Sequence, residues 1–128
     1  MTDLHDQLYV SAVRDVRKIV RDVLQSLLET HRLDALIGPT ALPARLISEE
    51  STIIPPGWRT LASMAGWPDV TVPAGFTDGP ILPVGMSLLG LPFSDGRLLG
   101  LAHAFEQAAT VYRVPVATPP LPGERFEY

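Results

Sequence analysis

The sequence predicts a single domain of the α/β class, and three observations lead to this prediction. The 128-residue chain is 46% hydrophobic and 19% charged, which is enough apolar mass for one buried core and too much for disorder. Residues 3–30 contain neither proline nor glycine and follow a helical period, whereas the 13 prolines and 10 glycines lie almost entirely after Gly38. Short apolar runs in this second part predict strands.

The composition excludes several classes of partner and chemistry. Fourteen acidic residues against ten basic ones give a net charge of −4, which argues against nucleic acid or an anionic membrane as the main partner. The absence of cysteine excludes a disulfide scaffold, a thiol nucleophile and a thiolate metal site. No apolar run reaches the length of a membrane span, and residues 1–6 are acidic where a signal peptide is basic. We therefore expect a cytoplasmic protein that uses no cofactor.

The first element is predicted to be a long amphipathic helix within residues 1–32. At 100° per residue its apolar residues fall in one arc of roughly 140°, the width of a helix face that packs on a core. Lys18 and Asp22 form an i,i+4 pair on the other side, so the basic residues there indicate a solvated face rather than an anion site. The residues of the apolar arc are Tyr9, Ala12, Val13, Val16, Ile19, Val20, Val23, Leu24 and Leu27.

The middle of the chain alternates short apolar runs with turn residues. Residues 35–37 form an apolar run that is stopped by Gly38 and Pro39, which predicts a buried strand whose end opens into a loop. Residues 41–57 contain three prolines and predict a surface loop. Residues 58–65 have the length of two helical turns, and Gly66 is the expected left-handed cap of this short helix.

Two further apolar runs predict a hairpin. Residues 69–73 and 82–89 have the composition of strands, and the turn residues Asp78 and Gly79 lie between them. Both faces of the second run carry apolar residues, which is typical of an interior strand covered on both sides. Proline cannot donate to a strand ladder, so we expect Pro73 and Pro83 at strand ends, edges or bulges.

The last predicted element is a helix that ends near residue 110. Ser94 and Asp95 offer its N-cap, and Leu98, Ala102 and Phe105 belong to its apolar stripe. Four prolines follow, so residues 111–128 are predicted to form an extended tail.

A serine hydrolase is the first candidate chemistry that the polar residues suggest. Such a site needs a nucleophile, a base and an orienting carboxylate, and Ser63, Asp69 and His103 are the combination that the sequence offers. The position of His103 on the polar face of its helix favours a solvated side chain instead. No serine lies in a Gly-x-Ser-x-Gly motif.

Paired carboxylates and a metal site are the other candidates, and the sequence favours neither. Glu49 and Glu50 are adjacent on a predicted loop, where their carboxylates diverge and stay solvated. His5 and His31 flank the first helix without a second ligand at helical spacing, which predicts no metal site.

Four ordered segments resemble the C-terminal part of the amidase signature family. The first is the run before the predicted loop, DALIGPT at residues 34–40. The hairpin carries GWPDVTVPAGF at residues 66–76 and LPVGMSLLG at residues 82–90. The closing helix carries LLGLAHAFEQA at residues 98–108. The short loop over residues 41–57 makes the chain similar to the subgroup that includes peptide amidases and related acyl-amide hydrolases.

The resemblance implies part of an α/β/α sandwich with a mixed sheet and flanking helices, in which residues 1–128 form one partial domain. It also implies hydrolysis of carboxylic amides by a serine, a second serine in a cis peptide and a lysine. The serines of the family lie in a Gly-Ser-Ser-Gly-Gly type of segment, which this sequence lacks, and its only lysine is Lys18. We therefore expect a structural, pocket-shaping portion of an amidase that is not catalytic alone.

The resemblance further implies a small set of pocket-wall residues and a choice of partners. The pocket-wall residues would be Gly38, Pro39, Thr40, Ala41 and Ser63. An amide substrate is expected only if a catalytic region is supplied, so the expected partner is an upstream amidase segment or a second copy of the chain. The alternative is a stand-alone interaction module that associates with itself through sheet edges or the first helix.

Overall fold

A computed structural model describes residues 7–44, 57–78 and 81–113. Helix α1 spans Gln7–Thr30, strand β1 Leu36–Pro39 and helix α2 Trp58–Ala65. Strands β2 and β3 span Asp69–Phe76 and Pro83–Leu89, and helix α3 spans Asp95–Ala109. This order confirms the predicted α/β class. Most of the loop predicted over residues 41–57, including Glu49 and Glu50, lies outside the described residues, as do His5 and most of the predicted tail.

The three strands form one sheet in the order β1-β3-β2, so β3 is the central strand. This confirms the interior position predicted from its two apolar faces. Both outer strands run antiparallel to β3, with Gly38 and Thr71 lying opposite Ser87. Within the described part of the chain every strand pairing is antiparallel, and the hairpin of β2 and β3 is as predicted.

The prolines of the hairpin lie where the ladder can accept them. The register of β2 against β3 shifts between Pro73 and Gly75, which is a β-bulge, and Pro83 is the first residue of β3. Gly75 has φ +139°, a backbone conformation that glycine adopts without a steric penalty. The predicted positions of Pro73 and Pro83 are therefore confirmed.

Two apolar clusters cover the two faces of the sheet. One cluster joins α1 and α2 to the face of β3 that carries Leu89, and its buried residues include Leu28 and Trp67. The other joins α3 to the opposite face, where Leu88 meets Leu98 and Ala102. Successive residues of a strand point to opposite faces, so Leu88 and Leu89 belong to different clusters. The described residues therefore form three layers, with helices on both sides of the sheet.

Helix α1 packs with one edge of the apolar arc that the sequence predicts and with residues beyond that edge. Of its two buried residues, Leu24 belongs to the predicted arc and Leu28 lies outside it. Arg21, which is also outside the arc, donates a hydrogen bond from Nε to the carbonyl oxygen of Ala65, at 2.6 Å. The reason is that α1 packs mainly against the eight-residue α2, which lies beside its C-terminal half. Most of the predicted arc is exposed in this chain.

The helix ends follow the predicted cap residues in part. Gly66 is left-handed, with φ +65°, and its N–H donates to the carbonyl oxygen of Ala62 at 2.7 Å, as predicted for the end of α2. Ser94 occupies the N-cap of α3, but its hydroxyl donates to the carbonyl oxygen of Leu91 and not to the helix. None of the helices in the three described ranges is both long and apolar enough to span a membrane.

Candidate functional site

Three hydroxyl side chains meet on the sheet face that carries Leu89. Thr71 and Ser87 are cross-strand neighbours in β2 and β3, and Thr40 follows the last residue of β1. The backbone N–H of Thr40 donates to the carbonyl oxygen of Gly85 at 2.9 Å, which fixes the start of the loop against β3. Thr40, Thr71 and Ser87, together with the carboxylate of Asp69, are called the hydroxyl cluster below.

Ser87 lies at the centre of this cluster. Its Oγ is 3.0 Å from Thr40 Oγ1 and 3.1 Å from Thr71 Oγ1, and it donates to Asp69 Oδ2 at 3.2 Å. A hydroxyl has one proton, and Ser87 donates it to Asp69, so a threonine that is bonded to Ser87 is the donor in that bond. Ser87 is fully buried, whereas Thr71 is exposed. The cluster is therefore closed at Ser87 and open to solvent at Thr71.

Asp69 is the acidic member of the cluster and is only partly buried. Burial raises the pKa of its carboxyl above the ordinary 3.8, and the hydrogen bond from Ser87 opposes this rise. Asp69 Oδ1 is buried and accepts no hydrogen bond within the described residues. An unpaired buried oxygen disfavours the charged form, which agrees with the direction of the pKa shift.

An indole ring lies beside the cluster over Gly38. A Cβ atom on Gly38 would lie 2.7 Å from Trp58 Cδ2, so only glycine leaves room for this ring. Gly38 is the strand neighbour of Ser87, which brings Trp58 next to the hydroxyl cluster. The Nε1 atom of Trp58 is buried and has no acceptor in the described ranges. The first turn of α2 therefore forms one wall of the site.

Two of the five predicted pocket-wall residues lie at this site. Gly38 lies under Trp58, and Thr40 belongs to the hydroxyl cluster. Pro39 and Ala41 are exposed, and strand alternation directs Pro39 to the face opposite Gly38. Ser63 is exposed on the side of α2 opposite its packed residues. The structure thus brings Gly38 and Thr40 together and leaves the other three outside the hydrogen bonds of the cluster.

The combination of Ser63, Asp69 and His103 does not form a site, so this alternative is wrong. Helix α2, which carries Ser63, packs on the sheet face of Leu89. Helix α3, which carries His103, packs on the opposite face, and His103 is exposed. The sheet therefore separates the serine from the histidine that would have to deprotonate it.

The hydroxyl cluster is suited to hydrogen bonding rather than to nucleophilic attack. The side-chain hydrogen bonds described above join Thr40 and Thr71 to Ser87, and Ser87 to Asp69. A serine nucleophile needs a neighbouring base such as a histidine or a neutral lysine, and Lys18 instead pairs with Asp22 on α1 at 2.6 Å. Thr71, the exposed member, can bind a polar group that approaches from solvent.

Reasoning from the sequence missed Thr71, Ser87 and Trp58 as members of the site. The register of the hairpin carries the missing information, because it sets Thr71 directly opposite Ser87. Thr71 and Ser87 lie on the same face of the sheet as the apolar Leu89. Two hydroxyl residues on an otherwise apolar face are the signal that could have revealed a polar patch. Trp58 could not be placed, since its position depends on how α2 packs over β1.

Comparison with known proteins gives the same family from sequence and from structure. The family model described as Amidase matches residues 1–99. The glutamyl-tRNA(Gln) amidotransferase A subunit of Pseudomonas aeruginosa (strain LESB58) is 36% identical over 111 residues, which cover 82% of this chain and 22% of that protein. Mandelamide hydrolase of Pseudomonas putida is 34% identical over 107 residues, which cover 79% of this chain and 21% of the hydrolase.

The fold agrees with a solved structure of the same family. Native peptide amidase from Stenotrophomonas maltophilia superimposes with a TM-score of 0.75 at 34% identity, over 88% of this chain and 22% of the amidase. This chain therefore spans about a fifth of the length of the relatives it matches. The likeness confirms the expected resemblance, and the three layers described above are part of that fold.

Proposed function

The chain belongs to the amidase family, and from that premise we propose that it is a C-terminal, pocket-shaping region of an amidase, an enzyme that hydrolyses carboxylic amide C–N bonds. The observation that carries the proposal is coverage, because the match takes in 82% of this chain but only 22% of the relative. The catalytic serines and lysine belong, in this proposal, to the part of an amidase outside the match. The chain alone then hydrolyses no amide.

The environment of Lys18 supports a non-catalytic chain. Lys18 is the only lysine, and it is exposed on α1. Its hydrogen bond with Asp22 and the charge of that carboxylate raise the pKa of the Lys18 amine. A lysine that accepts a proton from a serine must be neutral, which requires the opposite shift. Lys18 therefore lacks the electrostatics of a proton relay.

The geometry around Gly38 and Thr40 supports a pocket-wall role. The proposed wall consists of Gly38 and Thr40, to which Thr71 adds an exposed hydroxyl and Trp58 an aromatic face. The other three predicted wall residues, Pro39, Ala41 and Ser63, are exposed outside the hydrogen bonds of the cluster. A carboxylic amide offers a carbonyl acceptor and an N–H donor, and threonine hydroxyls can bind either group. The wall would contact substrate only when the catalytic part of an amidase is present.

An activity assay of the chain alone tests the catalytic half of the proposal. We expect no turnover of mandelamide or of a C-terminal peptide amide, and no labelling by a fluorophosphonate serine probe. Peptide amidase from Stenotrophomonas maltophilia serves as the positive control in the same buffer. Turnover or labelling that disappears in Ser63→Ala or Ser87→Ala would overturn the proposal.

We also propose a cytoplasmic location, which the cysteine-free composition supports.

Self-association is a second candidate function, because α1 exposes apolar residues and both outer strands have a free edge within the described sheet. Such surfaces are often covered by another copy. Under this alternative the chain is a stand-alone module derived from an amidase. Light scattering over micromolar concentrations tests the candidate, and a mass equal to one chain throughout would contradict it.

A further inference from the structure

One face of α1 is apolar and bare. At 100° per residue its members fall in an arc of roughly 80°, and they extend over about 27 Å of helix. Ile19 and Val23 are 63% and 62% exposed, and the others are at least 40% exposed. This surface, called the α1 stripe, consists of Tyr9, Val16, Ile19, Val23 and Leu27.

The α1 stripe has no role in the core of the described residues. The side of α1 that packs on α2 carries Leu24 and Leu28, with Val20 at its border. On the helical wheel this packed side is turned by roughly 110° from the middle of the α1 stripe. The apolar arc of α1 is therefore wider than the side of the helix that packs on the other described elements.

The size of the α1 stripe argues against a second copy as the partner. Full burial removes about 150–250 Å² for a tyrosine and about 100 Å² for an aliphatic side chain, so these five partly exposed side chains offer about 300 Å². A stable complex of standard size buries about 800 Å² on each partner. An apolar patch of about 300 Å² is instead the size of a functional contact region on one molecule. The stripe suits a partner that also contacts other parts of the chain.

The part of the relatives that this chain does not match suggests such a partner. The matched region is 22% of the relative, so about four-fifths of an amidase lies outside it. Resting on the proposed function, we propose that the α1 stripe is the surface on which this remaining, catalytic part of an amidase docks. The docking partner presents an apolar surface to Ile19 and Val23, whose burial supplies the attraction.

A joined protein tests the proposal. The matched region of the Stenotrophomonas maltophilia peptide amidase is replaced by the full 128-residue chain, and hydrolysis of a peptide amide is measured. We expect activity with the parent chain. Ile19→Glu and Val23→Glu are expected to lower soluble yield or turnover at least tenfold, because each places a charge in an apolar contact. Ser11→Glu, an exposed change elsewhere on α1, is the matched control and is expected to retain activity.

The outcomes separate this proposal from the proposed function. An inactive joined protein with the parent chain overturns the proposed function, and the docking surface with it. An active joined protein whose Ile19→Glu and Val23→Glu variants match Ser11→Glu overturns only the docking surface.

The isolated 128-residue chain supplies the second measurement. We expect it to bind the apolar dye ANS, and Ile19→Glu to reduce that binding while leaving the far-ultraviolet circular dichroism unchanged. Equal dye binding by the parent and Ile19→Glu would mean that the stripe is not an open apolar binding surface. Loss of helix in Ile19→Glu would mean that the stripe belongs to the chain's own core. A dimer that Ile19→Glu dissociates would assign the stripe to a second copy. Each of these three results would overturn the proposal.

Discussion

The raised pKa of Asp69 makes the free energy of unfolding of this chain depend on pH. Burial raises the pKa of its carboxyl, while the hydrogen bond from Ser87 acts in the opposite direction. The folded chain therefore holds this proton more tightly than the unfolded chain does. The stabilisation from the protonated carboxyl is complete below pH 3.8 and is lost as the pH rises through the raised pKa of Asp69.

Asp69→Asn should remove this loss, because the amide stays neutral and its oxygen can still accept from Ser87. We expect the free energy of unfolding of the variant, relative to the parent, to increase between about pH 3 and about pH 7. Urea unfolding followed by tryptophan fluorescence measures the difference. Asp15→Asn, at an exposed position of α1, is the matched control. A difference for Asp69→Asn that is constant with pH would contradict the prediction.

Gly38 is constrained by the ring above it rather than by its backbone. A Cβ atom there would lie 2.7 Å from Trp58 Cδ2, so Gly38→Ala must displace the indole or the strand. We expect the variant to lose about 1–3 kcal/mol of unfolding free energy through overpacking. Gly100→Ala is the matched control, because open space surrounds that position in α3 and alanine favours helix by about 0.5–1 kcal/mol.

Chemical denaturation of the two glycine variants gives both values. Loss of stability in Gly38→Ala together with a gain in Gly100→Ala is the expected pair of results. Equal effects of the two substitutions would show that the ring moves freely and that Gly38 is not required by Trp58.

Helix α3 is held to the sheet by a narrow line of residues. Leu98 is fully buried, whereas the next residue, Leu99, is 58% exposed. Leu98→Ala should therefore cost about 2–5 kcal/mol of unfolding free energy, because it leaves a cavity against Leu88 and Val72. Leu99→Ala removes the same atoms at the surface and should change stability by about 0.5 kcal/mol or less. Thermal unfolding of both variants compares them, and similar melting temperatures would contradict this account of α3.

Element by element, the sequence predicts more about type and position than about packing. The bounds of α2, the left-handed Gly66 and the interior position of β3 all follow from local signals, namely glycine, proline and two-sided apolar character. Helix α1 is different. Its period shows that it is amphipathic, but Leu28 and Arg21 contact α2 while Ile19 does not. Which side of α1 is buried depends on the elements that pack against it, and the helical period does not specify those elements.

The candidate site illustrates the same limit. Gly38 and Thr40 could be predicted because they lie in the segment that resembles the family, directly after a strand. Thr71 and Ser87 could not, since their contact depends on the register of the hairpin and on the bulge that follows Pro73. A single-residue shift of register would turn one of the two side chains to the other face of the sheet.

At the scale of the whole molecule, the three layers correspond to about a fifth of a larger architecture. Peptide amidase from Stenotrophomonas maltophilia contains the same arrangement over 22% of its length. The two apolar clusters explain why such a small part has an ordered arrangement of its own, because Leu88 and Leu89 tie β3 to helices on both sides. The exposed face of α1 is the surface on which we propose that the rest of such an architecture docks.

The sheet has one more consequence, which concerns the chain at high concentration. Each of its outer strands in the described residues contains a proline, Pro39 in β1 and Pro73 in β2, and β2 is also interrupted by its bulge. Growth of a cross-β fibril needs an uninterrupted row of backbone donors along a flat strand, which neither outer strand supplies. Edge-to-edge growth of the described sheet into a cross-β stack is therefore disfavoured.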